Sequence, residues 1–139
     1  MLFKKIFLVC FLLGGTALYA QKIKNQATFR TLKTATSLLE AQQFEAAEEF
    51  FKKGLEKAIQ FEDVYCMAFA NEGLGNFYTK TEQPELAVKS YKKAIALYRS
   101  QNLNIIANVV ESLLKSVQGI GDLYAGIEVG AKGIKLSII

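Results

Sequence analysis

Five successive segments of this chain place apolar residues at every third or fourth position, with polar and charged residues between them. This spacing matches one face of an α-helix and is typical of helices that bury one side. It predicts helices over residues 26–42, 44–61, 63–79, 84–101 and 104–117. The joints between them are short and polar, which places successive helices antiparallel and in contact. The predicted fold class is therefore all-α, built of antiparallel helix hairpins.

The pattern also repeats along the chain. The segment Gln43–Leu55 (QFEAAEEFFKKGL) aligns with Gln83–Ile95 (QPELAVKSYKKAI), so the period is 40. A fixed period in this range indicates hairpins that stack into an array. Because such arrays present a surface rather than a catalytic site, the repeat favours a binding function.

Residues 1–20 have the layout of a secretory signal peptide. A short basic stretch precedes an unbroken apolar run over residues 6–13, and small residues lead to Ala20 before polar Gln21. We expect cleavage after Ala20, with Ala17 as an alternative, and a periplasmic or secreted protein. An uncleaved anchor would be the only membrane contact, but the apolar run over 6–20 is shorter than the ~20 residues that span a bilayer.

The last segment, Gly119 to Ile139, fits two structures. Its glycines each cost ~1 kcal/mol relative to Ala inside a helix, and the alternation of Ile134, Leu136 and Ile138 is typical of a strand. The repeat spacing favours a sixth helix instead. The final residues, 135–139, are apolar where repeat arrays usually end in a polar cap. We therefore expect this apolar end to pack on a partner or on a second copy, giving a homo-oligomer.

Composition excludes several function classes. Lys4 and Lys5 lie in the predicted signal peptide, which leaves 15 basic and 13 acidic residues and no footprint for nucleic acid. The chain has no histidine, the usual general base and the commonest metal ligand. It also shows no catalytic set, phosphate loop or calcium loop, so we predict a non-catalytic protein without metal or cofactor. Cys66 is expected to be a buried thiol rather than half of an intermolecular disulfide.

The second repeat resembles the tetratricopeptide repeat. A Leu-Gly pair followed by aromatic and small residues at fixed steps carries the resemblance: Leu74, Gly75, Tyr78, Ala87, Tyr91 and Ala94. The first repeat keeps five residues at the same steps: Ala35, Leu38, Ala47, Phe51 and Gly54. A third, degenerate copy aligns at an offset of 39, with Leu113 at the position of Leu74. The resemblance implies repeats over 28–61, 68–101 and 107–139, stacked as a short right-handed superhelix.

The family's unit is about 34 residues long, so the longer step in this chain adds about six. We expect the extra residues at 62–67, where they would lengthen the neighbouring helices. In tetratricopeptide arrays the first helix of each repeat lines a concave groove that holds peptides. The resemblance implies that the groove is lined by Phe29, Leu32, Thr36, Phe69, Glu72, Asn76, Lys80, Glu111 and Lys115. Its mixed charge argues against the carboxylate clamp of some family members.

These features together predict a protein–protein interaction module of the bacterial envelope, an adaptor that holds a protein or peptide in its groove. The alternative is a sensory or regulatory input fragment of an envelope signalling protein, because input regions of some sensor kinases resemble such repeats.

Overall fold

The computed structural model describes residues 23–120 of the 139-residue chain. This range forms five α-helices and no strand: α1 (Gln26–Glu40), α2 (Phe44–Gln60), α3 (Val64–Lys80), α4 (Pro84–Ser100) and α5 (104–120). Consecutive helices pack against each other, and α1 also contacts α3. The predicted all-α helical repeat is thus confirmed.

Within residues 23–120, the same tight turn joins each helix to the next. Each joint has three residues, and its middle residue is left-handed, with φ between 50° and 59°: Gln42, Glu62, Glu82 and Asn102. At the first joint the amide of Gln42 donates to the carbonyl of Leu39, and that of Gln43 donates to the carbonyl of Leu38. This pair of bonds is the Schellman motif, which satisfies the last carbonyls of a helix. Because every joint is this same short turn, the extra length of the repeat lies in the helices and not in longer loops.

Close approach of helices within each hairpin depends on glycine. A Cβ added at Gly75 would lie 2.5 Å from ring atoms of Tyr91, so the α4 ring packs on the α3 backbone. The first hairpin has the reverse arrangement, since Leu32 of α1 packs on Gly54 of α2. Gly75 and Tyr91 are among the residues that carried the family resemblance. Most are buried (Ala35, Ala47, Phe51, Leu74, Gly75, Ala87, Tyr91 and Ala94), while Leu38 and Tyr78 are partly buried against the core.

A buried carboxylate ties the start of α1 to the joint between α2 and α3. Asp63 is fully buried and caps α3, where its Oδ1 accepts from the amide of Cys66 at 3.0 Å. Its Oδ2 accepts from the amides of Lys24 and Asn25, at 2.7 and 2.9 Å. Asn25 in turn caps α1 through Thr28. One side chain therefore fixes the entry of the chain into the first helix and the beginning of the second repeat.

The register of α5 differs from the alignment made on the sequence. Because α3 begins at residue 64 and α5 at residue 104, the structural step is 40 and not 39. Leu114 is buried at the position of Leu74, whereas Leu113 is 37% exposed. The sequence predicted an offset of 39 and put Leu113 at this position, because α5 has no Leu-Gly pair from which the register could be read.

Several predictions fall on residues outside the described range. These are the signal peptide over 1–20, the apolar end at 135–139 and all of the segment 119–139, predicted as a sixth helix, except residues 119 and 120, which end α5. Within residues 23–120, no helix is long and apolar enough to cross a membrane.

Candidate binding face

Only some of the side chains predicted to line a groove on α1 and α3 share one surface. Phe29 of α1 lies 5.4 Å from Phe69 of α3 and 6.1 Å from Tyr65, measured between ring centroids. Tyr65 and Phe69 stack on each other one turn apart, at 6.5 Å and 9°. All three rings are half-buried. Together with Glu72 and Asn76 of α3 they form a surface that we call the odd-helix face.

A tyrosine from α4 holds the carboxylate of this face. The hydroxyl of Tyr98 donates to Oε2 of Glu72 at 2.6 Å, and the Tyr98 ring packs edge-on against Tyr65. Burial raises the pKa of Glu72, and the hydrogen bond from Tyr98 opposes that shift. Burial also raises the pKa of Tyr98, with the charge of Glu72 adding to the effect, so Tyr98 stays a donor at neutral pH.

A second tyrosine holds the amide next to it. Tyr91 donates to Oδ1 of Asn76 at 2.7 Å, and its hydroxyl lies 3.3 Å from the hydroxyl of Thr79. Tyr91 is buried and the side chain of Asn76 is half-buried. The hydrogen bond from Tyr91 therefore fixes the Asn76 amide from the core side of α3. The polar groups of the odd-helix face are therefore positioned before any ligand arrives, which lowers the entropy cost of binding.

Leu32 does not belong to this face. It is fully buried, and it packs against Gly54 of α2 as part of the core. The sequence could not show this, because the apolar stripe of α1 allows Leu32 to face either α2 or the solvent. Thr36 is half-buried and donates to the carbonyl of Leu32, within its own helix. Lys80 is exposed at the end of α3.

Glu111 and Lys115 also lie elsewhere. At the structural step, Lys115 corresponds to Gly75, a position that faces the following helix, and not to Asn76. Glu111 forms ion pairs with Arg99 of α4 at 2.8 Å and with Lys115 at 3.9 Å. The equivalents of Phe69, Glu72 and Asn76 on α5 are Val109, Ser112 and Ser116. A one-residue error in offset thus moved the predicted groove residues of α5 to a different side of the helix.

Sequence reasoning did not single out two apolar residues of α5, and it missed one residue of the odd-helix face. Tyr65 belongs to it through its ring contacts with Phe29 and Phe69. Ile105 and Val109 stand one repeat after Tyr65 and Phe69. The 40-residue period that relates α2 to α4, applied from α3 to α5, would have found Ile105 and Val109, but it would not have found Tyr65.

Chemically, the odd-helix face offers packing surface and hydrogen bonds. Among residues 23–120, no three acidic or cysteine side chains are grouped as metal ligands would be. The thiol of Cys66 is fully buried, and burial, the charge of Asp63 and a hydrogen bond with Asp63 raise its pKa to about 12. Such a thiol is inert at neutral pH.

Comparison with known proteins supports the assignment made from the repeat. The family model of the tetratricopeptide repeat matches residues 70–101, from the middle of α3 through the end of α4. No curated protein and no solved structure matches the chain. The resemblance to tetratricopeptide repeats is confirmed, and the helical repeat architecture of residues 23–120 is consistent with that family. Such repeats are typically non-enzymatic and mediate protein–protein interactions.

Proposed function

We propose that this protein is a non-catalytic interaction module that binds a segment of another protein on its odd-helix face. The observation that carries the proposal is the cluster of Phe29, Tyr65 and Phe69, which is only half-buried although its members contact one another. Aromatic side chains that are rigid and partly open to solvent are the usual anchors of protein interfaces. Nearby polar groups held by Tyr91 and Tyr98 would fix the orientation of the bound segment.

We place this function in the bacterial envelope. The support is the sequence of residues 1–20, with its basic start, apolar run and small residues before Gln21. Mass spectrometry of the protein recovered from the envelope fraction is the test. A new amino terminus at Gln21 supports the proposal, and intact protein recovered from the cytoplasm contradicts it.

Selection of displayed peptides tests the binding function itself. A library of short random peptides on phage is selected on the purified full chain. The enriched peptides are then measured by fluorescence anisotropy against Phe69→Ala and Ile59→Ala. Ile59 is the matched control, because it is an apolar residue, 58% exposed, on α2, outside the odd-helix face.

We expect Phe69→Ala to lower the affinity for the enriched peptides by at least about tenfold. Ile59→Ala should leave that affinity unchanged. Circular dichroism confirms that both variants are folded. Enriched peptides that bind both variants as well as they bind the parent chain would contradict the proposal, as would a failure to enrich any sequence.

A further inference from the structure

The apolar surface of α3 continues on α5. Ile105 and Val109 stand at the positions of Tyr65 and Phe69, one repeat later, and they are 81% and 57% exposed. Leu113, one turn further along α5, is 37% exposed. Isolated exposed apolar residues are common, but a stripe at i, i+4 and i+8 on one helix side marks an interaction surface.

The repeat brings this stripe into line with the aromatic cluster. Since the joint is the same before α3 and before α5, we expect α5 to follow α3 as α3 follows α1. Phe29, Phe69 and Val109 then form one row across three helices. With axes ~10 Å apart, the row is about 20 Å long, the length of about six extended residues.

A carboxylate without a cationic partner borders this row. Within residues 23–120, no lysine or arginine forms an ion pair with Glu72, and Oε1 of Glu72 accepts no hydrogen bond. The equivalent position on α5 is Ser112, which donates to its own helix. A half-buried carboxylate with an open oxygen is a strong acceptor for a bidentate or ammonium donor.

We infer that the odd-helix face binds an apolar peptide segment that carries a lysine or arginine. Its apolar side chains lie along Phe29, Phe69 and Val109, and its cation meets Glu72. This inference rests on the proposed function and names the class of partner. The charge complementarity at Glu72 is what favours such a partner over a purely apolar segment, which would bury the carboxylate unpaired at a cost.

A double-mutant cycle on the enriched peptides tests the inference. Each Phe69-dependent peptide is made with its lysine or arginine and with glutamine in that place. Both forms are titrated against the full chain and against Glu72→Gln, which removes the charge while keeping an oxygen for Tyr98. Val109→Asp probes the row on α5, and Ile59→Asp is its control, because the two side chains are almost equally exposed.

We expect each single change at the cation or at Glu72 to weaken binding about tenfold, and the second change to add almost nothing. Val109→Asp should also weaken binding about tenfold, whereas Ile59→Asp should not. Phe69-dependent peptides without a basic residue, or with no coupling to Glu72, overturn the inference while leaving the proposed function intact. A dimer that Val109→Asp converts to a monomer also overturns it, because a second copy of the chain would then occupy the row.

Discussion

The ring of Tyr91 lies directly on the backbone of Gly75, where an added Cβ would be 2.5 Å from two of its carbons. The ring cannot move away easily, because its hydroxyl is held by Asn76 and lies beside Thr79. This contact sets the distance between α3 and α4.

Gly75→Ala should therefore destabilise the protein, although alanine favours helix formation. Overpacking a tight contact costs ~1–3 kcal/mol, and the gain in helix propensity returns at most ~1 kcal/mol, so we expect a net loss of about 1–2 kcal/mol by urea unfolding. Gly119→Ala is the control: nothing lies within 4 Å of its Cβ, and the variant should be as stable as the parent or more so. Equal effects of the two substitutions would show that the Tyr91 contact is not tight.

The raised pKa of Glu72 predicts how the stability of the protein depends on pH. Its pKa is raised from the ordinary value of 4.5, chiefly by burial, so the protonated form suits the folded state better than the ionised form. Glu72 therefore contributes its full stabilisation of the folded state at a pH below 4.5, where it is protonated in both states. This contribution is lost as the pH rises through the raised pKa of the folded state. Glu72→Gln should thus be more stable than the parent at pH 7, and this advantage should shrink towards pH 4. Thermal unfolding across this range measures it.

A parent chain more stable than Glu72→Gln at pH 7 would mean that the ionised pair with Tyr98 stabilises the fold. If Glu72→Gln is the more stable of the two at pH 7, the charge of Glu72 destabilises the free protein. The same charge would then serve to bind a cationic partner.

The buried carboxylate of Asp63 should be one of the most sensitive positions. Asp63→Ala removes the acceptor of three amides, those of Lys24, Asn25 and Cys66. We expect a loss of about 3 kcal/mol, since capping and charged hydrogen bonds each contribute ~1–2 kcal/mol. Asp63→Asn keeps one acceptor oxygen, so its free energy of unfolding should lie between those of the parent and Asp63→Ala. Hydrogen exchange at Lys24 and Asn25 should also accelerate in Asp63→Ala, and unchanged exchange there would contradict the role assigned to this side chain.

The thiol of Cys66 should be inert in the folded protein. Its pKa is raised to about 12 by burial and by Asp63, so almost none of it is thiolate at pH 8. In a Cys10→Ser background, where Cys66 is the one remaining cysteine, reaction with a disulfide reagent should be ~1,000-fold slower than in urea. Rapid labelling of the folded chain would show that the helices around Cys66 open frequently.

The repeated turn predicts a stabilising substitution. Glu82 has φ of 57°, a left-handed conformation that costs ~1 kcal/mol in a residue with a Cβ. Glu82→Gly should therefore raise the free energy of unfolding by up to ~1 kcal/mol. Glu85→Gly, in the first turn of α4, is the matched control and should lower it by a similar amount. A loss of stability in Glu82→Gly would mean that chain entropy in the unfolded state outweighs the turn strain.

The order of the helices and most of the hairpin contacts could be predicted from the sequence. Short polar joints and 3.6-residue stripes depend on nearby residues, so they are visible without a fold. The resemblance to the tetratricopeptide repeat implies that Leu74, Gly75 and Tyr91 pack the hairpin, and the structure buries all three. The candidate site was harder to predict. Phe29, Phe69, Glu72 and Asn76 share the odd-helix face, whereas Leu32 is buried and Glu111 and Lys115 lie on another side of α5.

The sequence by itself determined that this chain is a helical repeat and determined the period of that repeat, because periodicity and turn chemistry are local properties. Only the tertiary structure decided which side of each helix is covered. The covered side of a helix depends on which neighbouring helix packs against it, as the packing of Leu32 of α1 on Gly54 of α2 shows. It also decided the partners of Asp63 and Glu72, because Asn25 and Tyr98 are separated from them by 38 and 26 residues. Contacts at such distances follow from the stacking of helices and leave no local pattern in the sequence.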